Sequence, residues 1–153
     1  MSPQYIGSLF TPLGYIIVTG NKKAISCISF SNEAPTIENT NPIVTNCIKQ
    51  LQEYFAGTRT LFSVPIEIQG TTFQQKVWDT CATIAFGKTS TYKNIACHIQ
   101  NPKSAIAVGQ ALKNNPIAII IPCHRILNSQ NKNTGYAGGK WRKDWLLQFE
   151  LHS

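Results

Sequence analysis

The chain of 153 residues contains no apolar run near the ~18 residues that a membrane span requires. Its first ten residues lack the basic start and long apolar stretch of a signal peptide, so we expect a cytoplasmic protein. It has no internal repeat, and 42% of its residues are hydrophobic against 14% charged. This composition excludes disordered, collagen-like and coiled-coil proteins and predicts a packed core in one domain or two small lobes.

Cysteine patterns that hold disulfides or metals are also missing. The five cysteines are an odd number, widely spaced and without a Cys-x-x-Cys pair, which fits neither a disulfide framework nor a zinc knuckle. Reduced thiols in a cytosol-like compartment are the simpler interpretation. With three histidines in the chain, a histidine-rich metal site is not expected. We therefore predict no metal and no cofactor.

Acidic residues are scarce in the second half. Residues 1–70 carry four basic and four acidic side chains, whereas residues 71–153 carry ten basic and three acidic ones. The whole net charge of +7 therefore lies in the second half. This asymmetry indicates where a polyanion such as nucleic acid would bind, although a solvated basic surface kept for solubility gives the same pattern.

The first half predicts a small α/β unit. β-rich runs flank a Gly-Asn pair, which is typical of a hairpin, and an Asn-Pro pair precedes a stripe of apolar residues at helical spacing. The predicted elements are a hairpin of Leu13–Thr19 and Ala24–Phe30 through Gly20-Asn21, a helix from Pro42 to near Gly57, and an extended connector over Thr58–Gly70.

The second half predicts mainly helices. Two short ones are separated by little more than Asn101-Pro102, an arrangement that resembles a helix-turn-helix but also occurs as a plain packing unit. Ile117–Ile121 is predicted as a buried, strand-like segment leading into Cys123. The predicted helices are one from Phe73 that ends before Gly87, one after Thr91, one from Asn101-Pro102 to about Asn114, and a last one with Trp141, Trp145, Leu146 and Phe149.

Cys123 has neighbours that distinguish it from the other cysteines. Pro122 precedes it, and His124 and Arg125, two potentially cationic side chains, follow. Such cations stabilise a thiolate, which is the nucleophilic form of cysteine. A small buried hydrophobic residue is the alternative for any cysteine.

The longer string around Cys123 is more specific. Ile-Pro-Cys-His-Arg at 121–125 lies between Asn115-Pro116 and Gly135-Tyr136-Ala137-Gly138-Gly139. This string resembles the O6-alkylguanine-DNA alkyltransferases, and the resemblance spans residues 71–150. Its further anchors are Phe73–Trp78, Phe86-Gly87, Thr91-Tyr92, Asn101-Pro102-Lys103 and Trp145–Glu150, with weaker matches at Thr11-Pro12-Leu13-Gly14 and Phe62–Pro65.

The resemblance implies both a fold and a reaction. It implies an N-terminal α/β lobe with a small antiparallel sheet (residues 1–66) and a mainly α-helical C-terminal lobe (residues 71–153) that holds a helix-turn-helix and the active-site cysteine. A protein of this kind binds double-stranded DNA through the minor groove as a monomer and rotates an O6-alkylated guanine out of the stack. The alkyl group then moves irreversibly to the protein's own cysteine. The sequence leaves open whether O4-alkylthymine is also a substrate.

The resemblance also implies roles for individual residues. Cys123 is the alkyl acceptor, His124 takes the thiol proton through a water, and Glu150 orients His124 as in a catalytic triad. Tyr92 lies near the rotated base as a hydrogen-bond or proton donor, and Asn115 ties the recognition helix to the active-site turn. Tyr136, Ala137 and Gly138 form a wall of the base pocket. The expected DNA contacts are Tyr92, Lys93, Asn101, Lys103, Ile106, Gln110, Lys113, Arg125 and Ser129, although Arg125 favours a structural or electrostatic contact over chemistry.

Ile106 departs from the family pattern. Relatives usually carry an arginine there, which enters the duplex and fills the gap that the rotated base leaves. Minor-groove binders also insert isoleucine between base steps, so we expect Ile106 to be exposed and to act as a wedge. The alternative is that Ile106 packs against another helix and rotation of the base is impaired.

Two other functions remain open from the sequence. One is a non-catalytic sensor that binds alkylated DNA, although sensors of this kind lack the acceptor cysteine that is present here. The other is a thiol hydrolase or redox enzyme that uses Cys123 and His124. The missing Cys-x-x-Cys pair and the one-sided charge disfavour it.

Overall fold

A three-stranded antiparallel sheet begins the first of two units into which the computed structural model divides. The structure describes residues 4–130, 132 and 135–153. The first unit ends at Ile68 and the second begins at Gln69. No helix in the described ranges is both long and apolar enough to cross a membrane.

The sheet has the order β1-β2-β3. Its strands are β1 (Tyr5–Thr11), β2 (Gly14–Gly20) and β3 (Ile25–Ser31). The predicted hairpin is confirmed, because β2 pairs antiparallel with β3 and the Asn21 side chain accepts hydrogen bonds from two backbone amides within the turn. The strand β1 was not predicted. It pairs along its whole length with β2.

One helix, α1 (Pro42–Phe55), packs on the sheet. The Asn41 side chain caps it by accepting a hydrogen bond from Val44 N at 2.9 Å, and Pro42 occupies the first turn, as predicted. Its buried face is formed by Val44, Cys47, Gln50, Leu51 and Tyr54. The extended connector that follows bonds to β3, because Ile25 N donates to Pro65 O and Glu67 N donates to Ile25 O, each at 2.8 Å.

The second unit is mainly helical. Its helices are α2 (Thr72–Cys81), α3 (Tyr92–His98), α4 (Ala105–Lys113) and α5 (Lys140–Leu151). A capping box of Thr71 and Gln74 begins α2. The Trp78 indole donates to Ala111 O at 2.9 Å and so fastens α2 to α4. The predicted pair of short helices is confirmed as α3 and α4, which pack against each other.

The start of α4 was predicted too early. Asn101-Pro102 does not cap this helix but forms a turn, closed by a hydrogen bond from Ser104 N to Asn101 O at 3.0 Å. Gln100 has a positive φ of 63°, which reverses the chain after α3. The helix therefore begins three residues later, at Ala105.

The segment Ile117–Ile121 is not a strand. It forms successive turns in which Ile119 has a φ of 72° and Ile121 N donates to Ile117 O. Its apolar character is explained by burial, since Ile119 is 1% exposed. A short run of apolar residues cannot distinguish a buried turn from a buried strand. A small parallel pair does occur nearby, between β4 (Ser90–Thr91) and β5 (Ile126–Leu127).

Candidate active site

Cys123 begins a single 3₁₀ turn, Cys123–Arg125, between the buried turns and β5. Cys123 is 7% exposed. The Asn115 side chain shapes this turn, because its Nδ2 donates to Ile121 O at 2.9 Å and to Cys123 Sγ at 3.2 Å. Its Oδ1 accepts from Ile117 N at 2.9 Å. Asn115 therefore connects the end of α4 to the sulfur.

The environment of Cys123 favours the neutral thiol. Burial raises the pKa of the Cys123 thiol, and the hydrogen bond from Asn115 and the charge of Lys143 offset this rise only in part. Arg125 does not supply the expected neighbouring cation. A reaction at the sulfur therefore needs a base that removes the thiol proton.

His124 and Glu150 form a buried pair. His124 Nε2 lies 2.7 Å from Glu150 Oε2, and the residues are 0% and 4% exposed. Burial lowers the pKa of His124, although Glu150 acts in the opposite direction. In the neutral imidazole, Nε2–H donates to Glu150, which leaves the lone pair of Nδ1 available. In the described chain, buried Nδ1 has no hydrogen-bond partner and Cys123 makes no direct hydrogen bond to the ring.

The expected DNA contact of Arg125 is not supported by its position. We expected it among the DNA contacts, but it is 6% exposed and directed inward. Its Nε and Nη2 donate to the two oxygens of Glu150 at 2.7 and 3.0 Å, and its Nη1 donates to Ile84 O at 2.6 Å. Two strong donors to Glu150, His124 and Arg125, hold this carboxylate in one orientation. The structural role that the sequence favoured for Arg125 is therefore the observed one.

Lys143 is a charged residue of the site that the sequence reading missed. It is 0% exposed, its Nζ has no hydrogen-bond partner in the described ranges, and Nζ lies 5.8 Å from the centroid of the Tyr92 ring. Burial lowers the pKa of Lys143 to about 8, while the thiolate forms of Cys123 and Cys81 and the carboxylate of Asp144 act in the opposite direction.

A signal for Lys143 was present in the helical spacing of α5. Lys143 and Glu150 lie three residues before and four residues after Leu146, so all three share one face. Leu146 is fully buried, whereas Trp141, which the sequence analysis named with it in the last helix, is 53% exposed. The buried face of α5 carries a lysine and a glutamate, and of these the sequence analysis named only Glu150.

Two cavities meet at Tyr92. A narrow pocket of about 10 Å³ reaches Cys123, and a larger surface cavity of about 540 Å³ lies beside it. The two share Tyr92, Gly109, Lys113 and Gly135. A volume of about 10 Å³ holds roughly one water. A ligand as large as a purine can therefore reach the sulfur only after the narrow pocket widens.

The expected pocket wall is only partly at the sulfur. Tyr136 and Ala137 line the narrow pocket. Gly138 does not line it, and its carbonyl accepts a hydrogen bond from Arg142 Nη1 at 3.0 Å near the start of α5. The turn is closed by Gly139 N donating to Tyr136 O at 2.9 Å.

Most of the expected DNA-contact residues share one surface. Ile106 is 84% exposed, so within the described part of this unit it is not packed against another helix. Asn101 and Lys103 are exposed on the turn between α3 and α4, outside the larger cavity. The expected contacts that line this cavity are Tyr92, Lys93, Ile106, Gln110, Lys113 and Ser129.

Comparisons with known proteins match both units. The family described as "6-O-methylguanine DNA methyltransferase, ribonuclease-like domain" matches residues 5–68, and the one described as "6-O-methylguanine DNA methyltransferase, DNA binding domain" matches residues 72–152. The constitutive methylated-DNA–protein-cysteine methyltransferase of Bacillus subtilis is 40% identical, over 96% of this chain and 95% of that protein.

Solved structures agree in fold. The O6-methylguanine methyltransferase of Mycobacterium tuberculosis has a TM-score of 0.88 at 36% identity, covering 98% of this chain and 94% of that one. The same organism's OGT in complex with DNA has a TM-score of 0.87 at 38% identity, covering 95% of this chain and 91% of that one.

Proposed function

This chain belongs to the 6-O-methylguanine DNA methyltransferase family, and from that premise we propose that it repairs DNA by direct reversal of alkylation. The alkyl group of an O6-alkylguanine moves to Sγ of Cys123, and each molecule acts once. The observation that carries this proposal is the arrangement around Cys123: Asn115 donates to Sγ at 3.2 Å, and the next residue, His124, is paired with Glu150 at 2.7 Å.

The reaction begins with loss of the thiol proton. The proton passes from Cys123 Sγ to Nδ1 of His124 through a water, and Glu150 stabilises the imidazolium that forms. The free lone pair of Nδ1 and the pairing of Nε2 with Glu150 support this direction of transfer. Since burial raises the pKa of Cys123 and lowers that of His124, the resting pair is neutral and the ion pair forms only for the reaction.

The transfer step forms one bond and breaks another. The thiolate attacks the alkyl carbon, a carbon–sulfur bond forms, and the bond from that carbon to O6 breaks with its electron pair left on guanine. A hydrogen bond from the Tyr92 hydroxyl stabilises the charge that develops on the departing base. The resulting thioether is not hydrolysed, so Cys123 is not regenerated.

Lys143 supports the thiolate. It is a positioning and electrostatic residue, because its buried cation acts on Cys123 without a hydrogen bond to any described residue. With a pKa of about 8 it remains charged at neutral pH and attracts the negative sulfur in a site that excludes water. This attraction partly offsets the burial that opposes ionisation of Cys123.

DNA binds to the basic surface of the second unit, residues 71–153. Lys93 and Lys113 line the larger cavity, and Lys103 lies on the turn before α4, so phosphates on either side of the lesion meet cations. The protein contacts the minor groove as a monomer, and the rotated guanine passes through the larger cavity into the narrow pocket beside Tyr136 and Ala137. Residues 1–66 serve mainly as a scaffold.

The test is methyl transfer itself. The protein is mixed with duplex DNA that carries one O6-methylguanine, and its intact mass and the modified peptide are determined. We expect one methyl group on Cys123 and none in Cys123→Ser. Cys97→Ser is a matched control, because Cys97 is an exposed cysteine of the same unit that also precedes a histidine. Binding of the duplex without any transfer would overturn the proposal and indicate the sensor.

A further inference from the structure

The exposed face of α4 combines side chains of unlike chemistry. Val108, Ala111 and Leu112 are buried, whereas Ile106 is 84% exposed on the opposite side. A single exposed aliphatic residue is common and indicates nothing alone. Ile106, however, lines the cavity of about 540 Å³ that adjoins the pocket of Cys123. Ile106 is therefore distinguished by its place at this cavity and not by its exposure alone.

Gln110 is exposed on the same face of α4 as Ile106. It lies four residues after Ile106, one helical turn along the same face, and lines the same cavity. In the described structure its side chain makes no hydrogen bond. Gln50 and Gln74, by contrast, bond to Ser63 and Thr71. The amide of Gln110 is therefore available to a ligand, beside the exposed apolar side chain of Ile106.

The surroundings of this pair are cationic. Lys93 and Lys113 line the cavity, and none of its other described lining residues is acidic. Proteins that bind the minor groove combine the same elements, which are apolar wedges inserted between base steps, asparagine or glutamine that reads base edges, and cations for the phosphates. The composition of this face is therefore that of a minor-groove surface that opens the stack.

We propose that Ile106 and Gln110 divide between them the gap that a rotated nucleotide leaves, an inference that rests on the proposed function. Ile106 enters the base stack and fills the vacated space. Gln110 donates a hydrogen bond from its amide to the minor-groove edge of the base left opposite. Cytosine and thymine both present an O2 acceptor there, so this contact does not distinguish them.

The test compares single-turnover methyl transfer from duplexes in which O6-methylguanine faces cytosine, thymine or an abasic site. We expect Gln110→Ala to slow transfer about three- to tenfold opposite either pyrimidine, as for loss of a neutral hydrogen bond. It should have no effect opposite the abasic site, where the acceptor is missing. Gln110→Glu, which has nearly the same shape but cannot donate, should be at least as slow opposite the pyrimidines. Gln148→Ala, an exposed glutamine of α5, is the matched control.

Ile106 has a different expected signature. Ile106→Ala should slow transfer about tenfold on all three duplexes, because the wedge is needed whatever lies opposite, and Ile106→Leu should restore the rate. On single-stranded DNA, where no stack must be opened, Ile106→Ala should react like the unaltered protein.

Three results would overturn the inference, and they distinguish its failure from failure of the proposed function. If the unaltered protein methylates Cys123 but Gln110→Ala reacts at the same rate on every duplex, the division of roles is wrong while the proposed function stands. The same holds if Gln110→Ala is equally slow opposite the abasic site. If no substrate, single-stranded DNA included, methylates Cys123, the proposed function fails and the inference fails with it.

Discussion

The two units differ in what they bury. The buried polar side chains described in the first unit, Thr11 and Gln50, carry no charge. Those of the second unit are ionisable. They are His124, Arg125, Arg142, Lys143 and Glu150. Burial of a charge is costly unless it is paired, so the second unit carries a cost of folding that the first avoids.

If the proposed function is right, this difference marks the place where function opposes stability. Four of the five buried ionisable residues contact or act on one another or Cys123, and Lys143 has no hydrogen-bond partner in the described ranges. The first unit, with a core of aliphatic residues between sheet and helix, has no such cluster in the part that the structure describes. Matched substitutions in the two units can therefore test whether the buried charges have the effects described above.

The largest expected difference in stability is between loss of the buried ion pairs of Glu150 and loss of the exposed ion pair of Glu53. Glu150→Gln removes the charge that holds His124 and Arg125, and we expect it to lower the free energy of unfolding by about 3–5 kcal/mol and to abolish transfer. Glu53→Gln breaks the exposed pair with Arg59, whose Nε–Oε1 distance is 3.1 Å, and should cost less than about 1 kcal/mol.

Urea unfolding measures both effects. All three tryptophans, Trp78, Trp141 and Trp145, lie in the second unit, so their fluorescence follows that unit, whereas far-UV circular dichroism follows both. An equal decrease in the free energy of unfolding in Glu150→Gln and Glu53→Gln would mean that the buried pairs of Glu150 stabilise the protein no more than an exposed pair does.

A smaller difference is expected between two hydrogen-bonded amides, Gln50, which is buried, and Asn115, which is half-buried. Gln50 bonds to Ser63 through both amide atoms, at 3.0 and 2.9 Å, much as Asn115 bonds to the Cys123 turn. We expect Gln50→Ala and Asn115→Ala each to cost about 1–3 kcal/mol of stability. Only Asn115→Ala should also raise the pKa of Cys123 and slow transfer, because only Asn115 donates to the sulfur.

The rate of thiol alkylation by iodoacetamide as a function of pH gives the pKa of Cys123 in each variant. The Cys97→Ser background removes the exposed thiol from this measurement. A pKa shift of Cys123 in Gln50→Ala as large as that in Asn115→Ala would contradict the assignment.

The smallest expected effect concerns Lys143. Burial lowers its pKa from 10.5 to about 8, so the folded state binds this proton more weakly than the unfolded state. The cost to stability is full below pH 8, shrinks as the pH rises, and is absent above about pH 10.5. We expect Lys143→Met to stabilise the second unit by about 1–2 kcal/mol at pH 7, with a smaller gain at pH 9, and to slow transfer.

Urea midpoints from tryptophan fluorescence at pH 7 and pH 9 measure this gain. Lys49→Met, at an exposed position of α1, is the control and should change neither the midpoint nor its pH dependence. A destabilised Lys143→Met at pH 7 would show that Lys143 forms a net favourable contact.

Sequence reasoning succeeded where the signal is local. Asn41 and Pro42 marked the start of α1 because a cap and a first-turn proline act within one turn. It failed at Ile117–Ile121, where apolar residues fill successive turns, because burial depends on what packs around the segment. It also missed Lys143, since apolar periodicity does not register a lysine on a buried face.

The candidate site shows the same division. The string around Cys123 could be matched to a family because its residues are consecutive in the sequence, and its assignment as the alkyl acceptor stays a prediction. The inward direction of Arg125 was not readable, because it depends on Ile84 and Glu150, which lie 41 and 25 residues away.

Residue types, spacing and local caps were therefore enough to predict the helices, and the string around Cys123 was enough to suggest the family that the comparisons show. The state of that cysteine depends on folding, which removes water from the sulfur and brings the end of α4, the 3₁₀ turn and α5 together. Solvation and charge pairing act through space between residues distant in the chain, so the ionisation of Cys123, His124 and Lys143 is a property of the folded unit.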